Sequence, residues 1–246
     1  MIYRLGTVTS TNDEARDARY VHGDIVSAEC QTAGRGRRGH TWTSEPGANL
    51  TFSAVLCPDF LNVREQFLLS EVVALALVDT FGRYGISTRI KWTNDIYAGD
   101  SKIAGVLIEQ NLSGERIARS VAGIGINVNQ RAFDASLPNP VSMAQLLGHD
   151  CDRAEVLELF SGRLSERYEQ LRGGDAAGVQ EQYRSLMYRL GERSAFRLPS
   201  GEKVMAEVAG VEPSGALVLR HDDGVLRKYL FREIEFVVGK DCAFGK

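Results

Sequence analysis

Two spacings of apolar residues divide most of this chain into helices and strands. Between residues 63 and 84, apolar side chains recur every three or four positions until Gly85, which predicts a helix with one buried face. Elsewhere, short segments rich in Val, Ile and Phe lie between turn residues and favour strands. The predicted strands of the first 190 residues are 2–5, 25–31, 50–56, 88–92, 96–98, 102–110 and 116–128.

Turn and capping residues indicate how these elements connect. The pairs Gly-Asp at 99–100 and Ser-Gly at 113–114 are hairpin signals. We therefore expect a mixed, largely antiparallel sheet with packed helices, an α+β fold, and not a doubly wound parallel sheet. Hydroxyl, amide and carboxylate caps also predict helices over residues 10–23, 152–172 and 175–190.

The pattern changes after Gly191. Four short segments there alternate apolar and polar residues between Pro-, Gly- and Asp-containing turns, as in small closed β-barrels. These segments are residues 194–198, 203–211, 216–220 and 225–231. The chain is thus predicted to hold an α+β body over residues 1–190 and a small β-barrel over residues 191–246.

Composition and charge exclude several classes of protein. Of the 246 residues, 43% are hydrophobic and 25% are charged, which disfavours disordered, collagenous and coiled-coil proteins. The formal net charge of −3 provides no general basic field for nucleic acid or an anionic membrane. Neither a signal peptide nor an apolar run of membrane-spanning length is evident. We therefore expect a cytoplasmic protein with no membrane partner.

The basic residues are unevenly distributed. The chain has 23 Arg and 6 Lys, and the lysines of the first 190 residues are Lys91 and Lys102 alone. Composition bias is the simplest reason for the Arg excess, but lysine supplies a compact point charge that arginine does not, so both lysines are candidate site residues. The four Cys and four His show no metal-ligand spacing, so neither a zinc site nor a disulfide framework is predicted.

A loop rich in glycine and arginine follows the second predicted strand. Its sequence GRGRRG at 34–39 matches the letters of the dinucleotide-binding fingerprint, but residues 41–47 cannot open the helix that the fingerprint requires. The glycines admit a ligand to the backbone, and Arg35, Arg37 and Arg38 offer bidentate donors for phosphate or carboxylate. Taken alone, the loop fits either a polyphosphate site or a solvated or RNA-contacting basic patch.

Two later segments favour an enzyme site. Lys91 and Lys102 fall on neighbouring strands of one predicted hairpin, so their ammonium groups can converge and neutralise charge on a phosphoryl group. Asp95 lies between them and either borders the same site or caps the hairpin. The glycine-spaced strand at 123–127 either admits a flat ligand against its backbone or allows tight strand packing.

Five motifs in order resemble those of biotin protein ligases, the biotin-[acetyl-CoA-carboxylase] synthetases. They are STN at 10–12, QTAGRGRRG at 31–39 with Trp42, KWTND at 91–95, KIAG at 102–105 and GIGIN at 123–127. The resemblance implies a class II synthetase-like, biotinyl/lipoyl ligase type of body followed by an SH3-like β-barrel. Because the first motif begins at Ser10, it also implies a short form without an N-terminal DNA-binding domain, and hence no DNA partner.

The activity that this resemblance implies is a two-step acyl transfer. Biotin and ATP would give biotinyl-5′-AMP, with Mg²⁺ implied by the ATP chemistry, and the biotinyl group would then pass to a lysine of a biotin carboxyl carrier protein. By motif position, Lys102 would act at the carboxylate–phosphate junction, Arg37 would close over the phosphates, and Asp95 would position or deprotonate the acceptor lysine. These three are the expected catalytic residues.

The remaining site residues also follow from the resemblance. The residues expected to bind biotin are Ser10, Thr11, Asn12, Gln31, Gly34, Arg35, Gly36, Arg37, Lys102 and Gly105. The residues expected to bind ATP or the adenylate are Arg37, Arg38, Trp42, Lys91, Asn94, Lys102 and Asn127. Trp42 would cover the adenylate and Asn127 would read adenine. No carboxylate cluster identifies ligands for Mg²⁺.

Two departures and two alternatives accompany this prediction. His40 stands where the family often has a further Arg, and Thr93 stands where Pro is usual. The alternatives are a lipoate or octanoate ligase or transferase on the same fold, and a non-catalytic nucleotide- or RNA-binding module that would not need Lys102. Because dimers are common in the family, a homodimer is a further expectation.

Overall fold

A seven-stranded sheet forms the body of the protein in a computed structural model that describes residues 1–36, 41–93 and 95–238. Its strands are β1 (Ile2–Val8), β2 (Ile25–Gln31), β3 (Leu50–Leu56), β4 (Arg89–Lys91), β5 (Asp95–Ala98), β6 (Ser101–Ser113) and β7 (Arg116–Ile126). They lie in the order β1-β2-β3-β7-β6-β5-β4. Only β1 and β2 pair in parallel among these strands, so the mixed, largely antiparallel sheet is confirmed.

Five helices of the described residues accompany this sheet. They are α1 (Thr11–Glu14), α2 (Phe67–Arg83), α3 (Met143–Leu147), α4 (Arg153–Arg172) and α5 (Ala176–Ser185). Among them, α2, α4 and α5 pack together. The predicted helix of residues 63–84 is confirmed as α2, preceded by a 3-10 turn at Val63–Glu65. Asp152 caps α4 as predicted, because its side chain accepts the backbone N–H of Ala154 and Glu155. The short helix α3 was not predicted.

The predicted helix of residues 10–23 is wrong, since α1 is a single turn. Arg119 on β7 explains why the helix stops. Its guanidinium donates to the backbone carbonyls of Ala15 (2.8 Å), Asp17 (3.1 Å) and Tyr20 (2.9 Å). These carbonyls are therefore satisfied by a distant cation and need no helical N–H partner.

The predicted helix of residues 175–190 is too long, since α5 ends at Ser185. The chain then runs beside β4. The Ile90 N–H donates to the Leu186 carbonyl (2.8 Å), and the Tyr188 N–H donates to the Ile90 carbonyl (2.9 Å). Pairing with a strand thus replaces the last helical turn.

The C-terminal unit is a five-stranded antiparallel sheet, consistent with the predicted small barrel. Its strands are β8 (Arg193–Arg197), β9 (Lys203–Val211), β10 (Leu217–His221), β11 (Leu226–Tyr229) and β12 (Glu235–Phe236), in the order β11-β10-β9-β8-β12. The short strand β12 was not predicted. Phe196, Val208 and Leu217 of this sheet belong to one apolar core with the residues of α2. The Trp92 indole N–H also donates to the Gly215 carbonyl (2.9 Å), which ties this unit to the body.

Within the described residues, no helix combines the length and the apolar content needed to cross a bilayer. The three cysteines in that range, Cys30, Cys57 and Cys151, are free thiols. Cys242 lies outside it.

Candidate functional site

A cavity of about 430 Å³ lies where the middle strands of the body approach the C-terminal sheet. It brings together twelve of the residues predicted from the sequence. They are Ser10, Thr11, Asn12, Gln31, Arg35, Gly36, Trp42, Lys91, Asp95, Lys102, Gly105 and Asn127. Arg37, Arg38 and Asn94 lie outside the described residues, as does His40. The structure thus places motifs from distant parts of the chain around one space.

Gly34 lies behind the cavity wall and does not line the cavity. Its carbonyl accepts the backbone N–H of Trp42 (3.0 Å), and Arg35 forms a backbone bridge with Thr41. A Cβ atom on Gly34 would lie 2.5 Å from the Trp42 carbonyl oxygen. Glycine at this position therefore lets the two arms of the arginine loop approach each other.

Polar side chains form one end of the cavity, which we call the polar end (Ser10, Thr11, Asn12 and Gln31). The first three are only 3–4% exposed because they occupy the tightly packed start of α1. Gln31, the last residue of β2, accepts from the Thr11 backbone N–H (2.7 Å) and lies 3.1 Å from its hydroxyl. Buried donors and acceptors in fixed positions suit a ligand with a polar head.

Asn12 is held by the protein at each polar atom of its side chain. The Ser53 hydroxyl donates to Asn12 Oδ1 (2.6 Å), while Asn12 Nδ2 donates to the Leu107 carbonyl (3.3 Å) and to Glu109 Oε2 (2.9 Å). A Cβ atom on Gly123 would lie 2.2 Å from Asn12 Oδ1. The first glycine of the GIGIN motif therefore makes room for Asn12.

Four charged residues close the outer side of the polar end, and we call them the ionic cluster (Asp13, Arg16, Arg35 and Glu109). Arg35 donates to both carboxylate oxygens of Asp13 (2.6 and 2.8 Å) and to Glu109 Oε2 (3.2 Å). Arg16 joins the two carboxylates from outside. The hydrogen bond from Arg35 keeps the pKa of Asp13 below its ordinary value. Arg35 is thus engaged by carboxylates of the protein itself.

A glycine floor (Gly105 and Gly125) lies at the centre of the cavity. The two glycines face each other across β6 and β7. A Cβ atom on Gly125 would lie 2.1 Å from a ring carbon of Trp42, and one on Gly105 would lie 3.3 Å from the same ring. The flat group against this backbone is therefore the Trp42 indole. Its Nε1 atom is buried and has no hydrogen-bond partner among the described residues.

The two unusual lysines lie at the end opposite the polar end. Lys102 Nζ lies 2.9 Å from Asp95 Oδ1, and each side chain is about one third exposed. Lys91 Nζ lies 5.0 Å from the centre of the Tyr97 ring and 5.7 Å from that of Phe236. Burial raises the pKa of Tyr97 to about 12, so this phenol stays protonated in the neutral range. Both lysines line this one cavity, and their joint action on a phosphoryl group stays a prediction.

Asn127 supports the backbone near Lys102. Its Nδ2 donates to the carbonyls of Lys102 (3.3 Å) and Val141 (3.1 Å). The segment that follows β7 also pairs with Lys102, since the Lys102 N–H donates to the Asn139 carbonyl (2.7 Å). Asn127 lines the cavity, but the described contacts of its amide nitrogen go to protein backbone. The role of Asn127 in recognising adenine stays a prediction.

Comparisons with known proteins agree with this arrangement. The model of the Biotin/lipoate A/B protein ligase family matches residues 2–127. The biotin--[acetyl-CoA-carboxylase] ligase of Paracoccus denitrificans is 34% identical over 229 residues, which cover 89% of this chain and 94% of that protein. The chain belongs to this ligase family.

Two further relatives extend the comparison. The bifunctional ligase/repressor BirA of Bacillus subtilis is 29% identical over 231 residues, covering 92% of this chain and 70% of that protein. The structure of the biotin protein ligase from Aquifex aeolicus in complex with biotin and ATP superposes with a TM-score of 0.82 at 28% identity, covering 97% of this chain and 99% of that one. The protein is therefore a ligase enzyme with the predicted fold.

The ligase cavity also has walls that the sequence did not reveal. Two groups of lining residues lie outside the five motifs: one follows β7 and the other surrounds β12. They are Phe133, Leu137, Pro138, Asn139, Pro140, Phe231, Ile234, Glu235, Phe236 and Val238. Most of them are apolar, with no chemical signature. The predicted strand of residues 225–231 includes only Phe231 among them.

The described part of the ligase does not assemble a metal site by itself. Within it, no group of three or more His, Cys, Asp or Glu side chains is placed to hold a metal ion. The described carboxylates of the cavity wall are Asp95 and Glu235, and Asp95 is paired with Lys102. The residues present therefore do not fit a preformed Mg²⁺ site.

Proposed function

We propose that this ligase activates biotin with ATP to form biotinyl-5′-AMP and then transfers the biotinyl group to a lysine of a biotin carboxyl carrier protein. The observation that carries the proposal is the single cavity that joins the buried polar end to the Lys102–Asp95 pair. The first region suits the head of the acid, and the second suits the reacting carboxylate. The names of the Paracoccus and Aquifex relatives support the same reaction.

Binding of biotin would begin at the polar end. The ureido ring is a polar head that needs matched donors and acceptors, and the buried Ser10 and Thr11 and the partly buried Gln31 lie there around the start of α1. The apolar part of the ligand would extend toward the glycine floor, where Trp42 and Ile124 line the cavity. This orientation directs the carboxylate toward Lys102.

In the first step, a carboxylate oxygen of biotin attacks the α-phosphorus of ATP, and the bond to pyrophosphate breaks. Negative charge grows on the phosphoryl oxygens, and the Lys102 ammonium is the compact cation available to neutralise it. Asp95, 2.9 Å from Lys102 Nζ, fixes that ammonium in place. Arg37 is proposed to act on the same phosphates, and Mg²⁺ is expected to arrive with ATP.

In the second step, the neutral amine of the acceptor lysine attacks the acyl carbon, an amide bond forms and AMP leaves. The amine must lose a proton, and we assign Asp95 to position it or to accept that proton. Asp95→Asn is therefore expected to slow transfer from preformed biotinyl-5′-AMP at least tenfold, while adenylate formation falls less. Single-turnover measurements of each step would show this; an unchanged transfer rate would refute the role.

The proposal is tested with labelled biotin, ATP, Mg²⁺ and a biotin carrier domain, scoring biotin-dependent ATP/pyrophosphate exchange and labelled carrier. Lys102→Arg is expected to lower kcat/KM about 100-fold, because a planar guanidinium cannot replace the point charge beside Asp95. The matched control is Lys228→Arg, which can keep the ion pair with Glu212 (2.6 Å) and should be neutral.

Two outcomes would contradict the proposal. If the unmodified protein gave neither exchange nor labelled carrier, biotin ligation would be excluded. Transfer of labelled lipoate or octanoate in place of biotin would favour the neighbouring activity of the same family. The carrier protein as acceptor and the homodimer remain predictions, which the labelled carrier and a measured molecular mass would test.

A further inference from the structure

Glu109 on β6 connects the polar end to the arginine loop, although none of the five motifs includes it. Its Oε2 atom accepts from Asn12 Nδ2 (2.9 Å) and from Arg35 Nη2 (3.2 Å), and its Oε1 lies 3.1 Å from Arg16. One carboxylate thus contacts three donors: Asn12 in α1, Arg16 just after α1, and Arg35 in the loop. Its side chain is 28% exposed, so water screens these contacts only in part.

The Arg35 end of this connection holds the base of the loop. Arg35 is fixed by Asp13 on one side and by Glu109 on the other, and its backbone bridges to Thr41. Thr41 precedes Trp42, whose ring lies on the glycine floor. A shift of the Arg35 side chain would therefore also shift the cavity wall at Trp42.

The Asn12 end of the connection holds the polar end. Asn12 also accepts from Ser53, which lies 2.8 Å from the Thr11 hydroxyl, and Thr11 contacts Gln31. A continuous path of hydrogen bonds therefore runs from Gln31 to Glu109. Loss of the Glu109 carboxylate would leave Asn12 without its charged acceptor.

We propose that Glu109 is a positioning residue for the acid substrate: it fixes the loop base relative to the polar end by holding Asn12 and Arg35 together. This inference rests on the proposed function and deepens it. Because Glu109 contacts Asn12 of the polar end and neither lines the cavity nor contacts Asp95 or Lys102, its effect falls on binding of biotin and not on the chemical step.

Glu109→Ala tests the inference, with Glu115→Ala as the matched control, since Glu115 is an exposed residue in the turn of the same hairpin. For Glu109→Ala we expect the biotin Kd, measured by calorimetry, and the biotin KM to rise about tenfold. The KM for ATP and the kcat of exchange should stay within about twofold. General loss of structure would instead lower kcat and the calorimetric stoichiometry. Glu109→Gln keeps the shape of the side chain and replaces Glu109→Ala in these measurements if the latter does not fold.

A double-mutant cycle tests whether Glu109 acts through Arg35. Arg35→Ala alone is expected to weaken biotin binding, and adding Glu109→Ala should weaken it by less than about threefold more. Full additivity of the two effects would overturn the inference, as would a biotin Kd in Glu109→Ala equal to that of Glu115→Ala. If the unmodified protein bound no biotin at all, the proposed function would fail instead.

Discussion

Single glycines shape the cavity by admitting side chains of the protein itself. The sequence indicated that the missing side chains at Gly123 and Gly125 would either admit a flat ligand or allow tight strand packing. Its prediction of a flat ligand there was incomplete, because Asn12 fills the space beside Gly123 and the Trp42 ring fills that beside Gly125. A glycine spacing reveals that room exists, but the occupant comes from another part of the chain and depends on tertiary packing.

Gly125→Ala is a direct test of the glycine floor. The new methyl group would lie 2.1 Å from the Trp42 ring, so the indole must move. We expect kcat/KM for biotin-dependent exchange to fall at least tenfold. Gly6→Ala on β1 is the control, because nothing lies within 4 Å of the Cβ position there. Equal activities of the two variants would show that the position of Trp42 does not matter.

At the scale of elements, the sequence predicted features that depend on local patterns and missed features that depend on long-range contacts. The apolar spacing of α2 and the turn glycines of the β5–β6 and β6–β7 hairpins act within a few residues, so they were readable. The early end of α1 depends on Arg119, which lies about a hundred residues later, and the early end of α5 depends on pairing with Ile90. Such contacts override helix propensity and leave no mark in the local sequence.

Helix α2 carries a buried acid that predicts a dependence of stability on pH. Glu71 is 1% exposed, and its Oε2 atom lacks a hydrogen-bond partner in the described part of the chain. Burial raises its pKa from 4.5 to about 8. In the unfolded chain Glu71 ionises above pH 4.5, but in the folded protein it stays protonated. Its contribution to stability is therefore complete below pH 4.5 and is lost as the pH rises toward 8.

Glu71→Gln should remove this loss. We expect it to raise the free energy of unfolding by ~2–4 kcal/mol at pH 8 and to change it little at pH 4.5. Urea unfolding at both pH values measures the difference. Glu71 and Glu181 both line a second cavity, of about 370 Å³. Glu181→Gln is the control, since Glu181 is exposed. If both variants show the same pH dependence as the original protein, Glu71 ionises normally.

At the scale of the molecule, the two sheets share one apolar core and one cavity. The predicted boundary at residue 191 remains a prediction, but Phe196 and Val208 pack in the same core as α2. Phe231 and Phe236 complete the wall of the cavity. The five motifs therefore predicted polar and charged groups of the site, while mostly apolar residues outside them, at 133–140 and 231–238, complete its wall.

A shared core predicts that the body and the C-terminal sheet unfold together. Calorimetry should show one transition, and Trp92→Phe, which removes the hydrogen bond to the Gly215 carbonyl, should lower its Tm by about 2–4 °C without splitting it. Two resolved transitions in the unmodified protein would show that the C-terminal sheet is stable independently.

The position of Trp42 and Trp92 has an optical consequence. They are the two tryptophans of the whole chain, and both line the cavity. The Trp42 indole N–H lacks a described partner, whereas that of Trp92 is bound to a carbonyl, so the two rings experience different polarity. The tryptophan fluorescence of the protein, excited selectively over that of its tyrosines, therefore originates from the walls of its ligand site, and a molecule entering that space changes the emission without any attached dye.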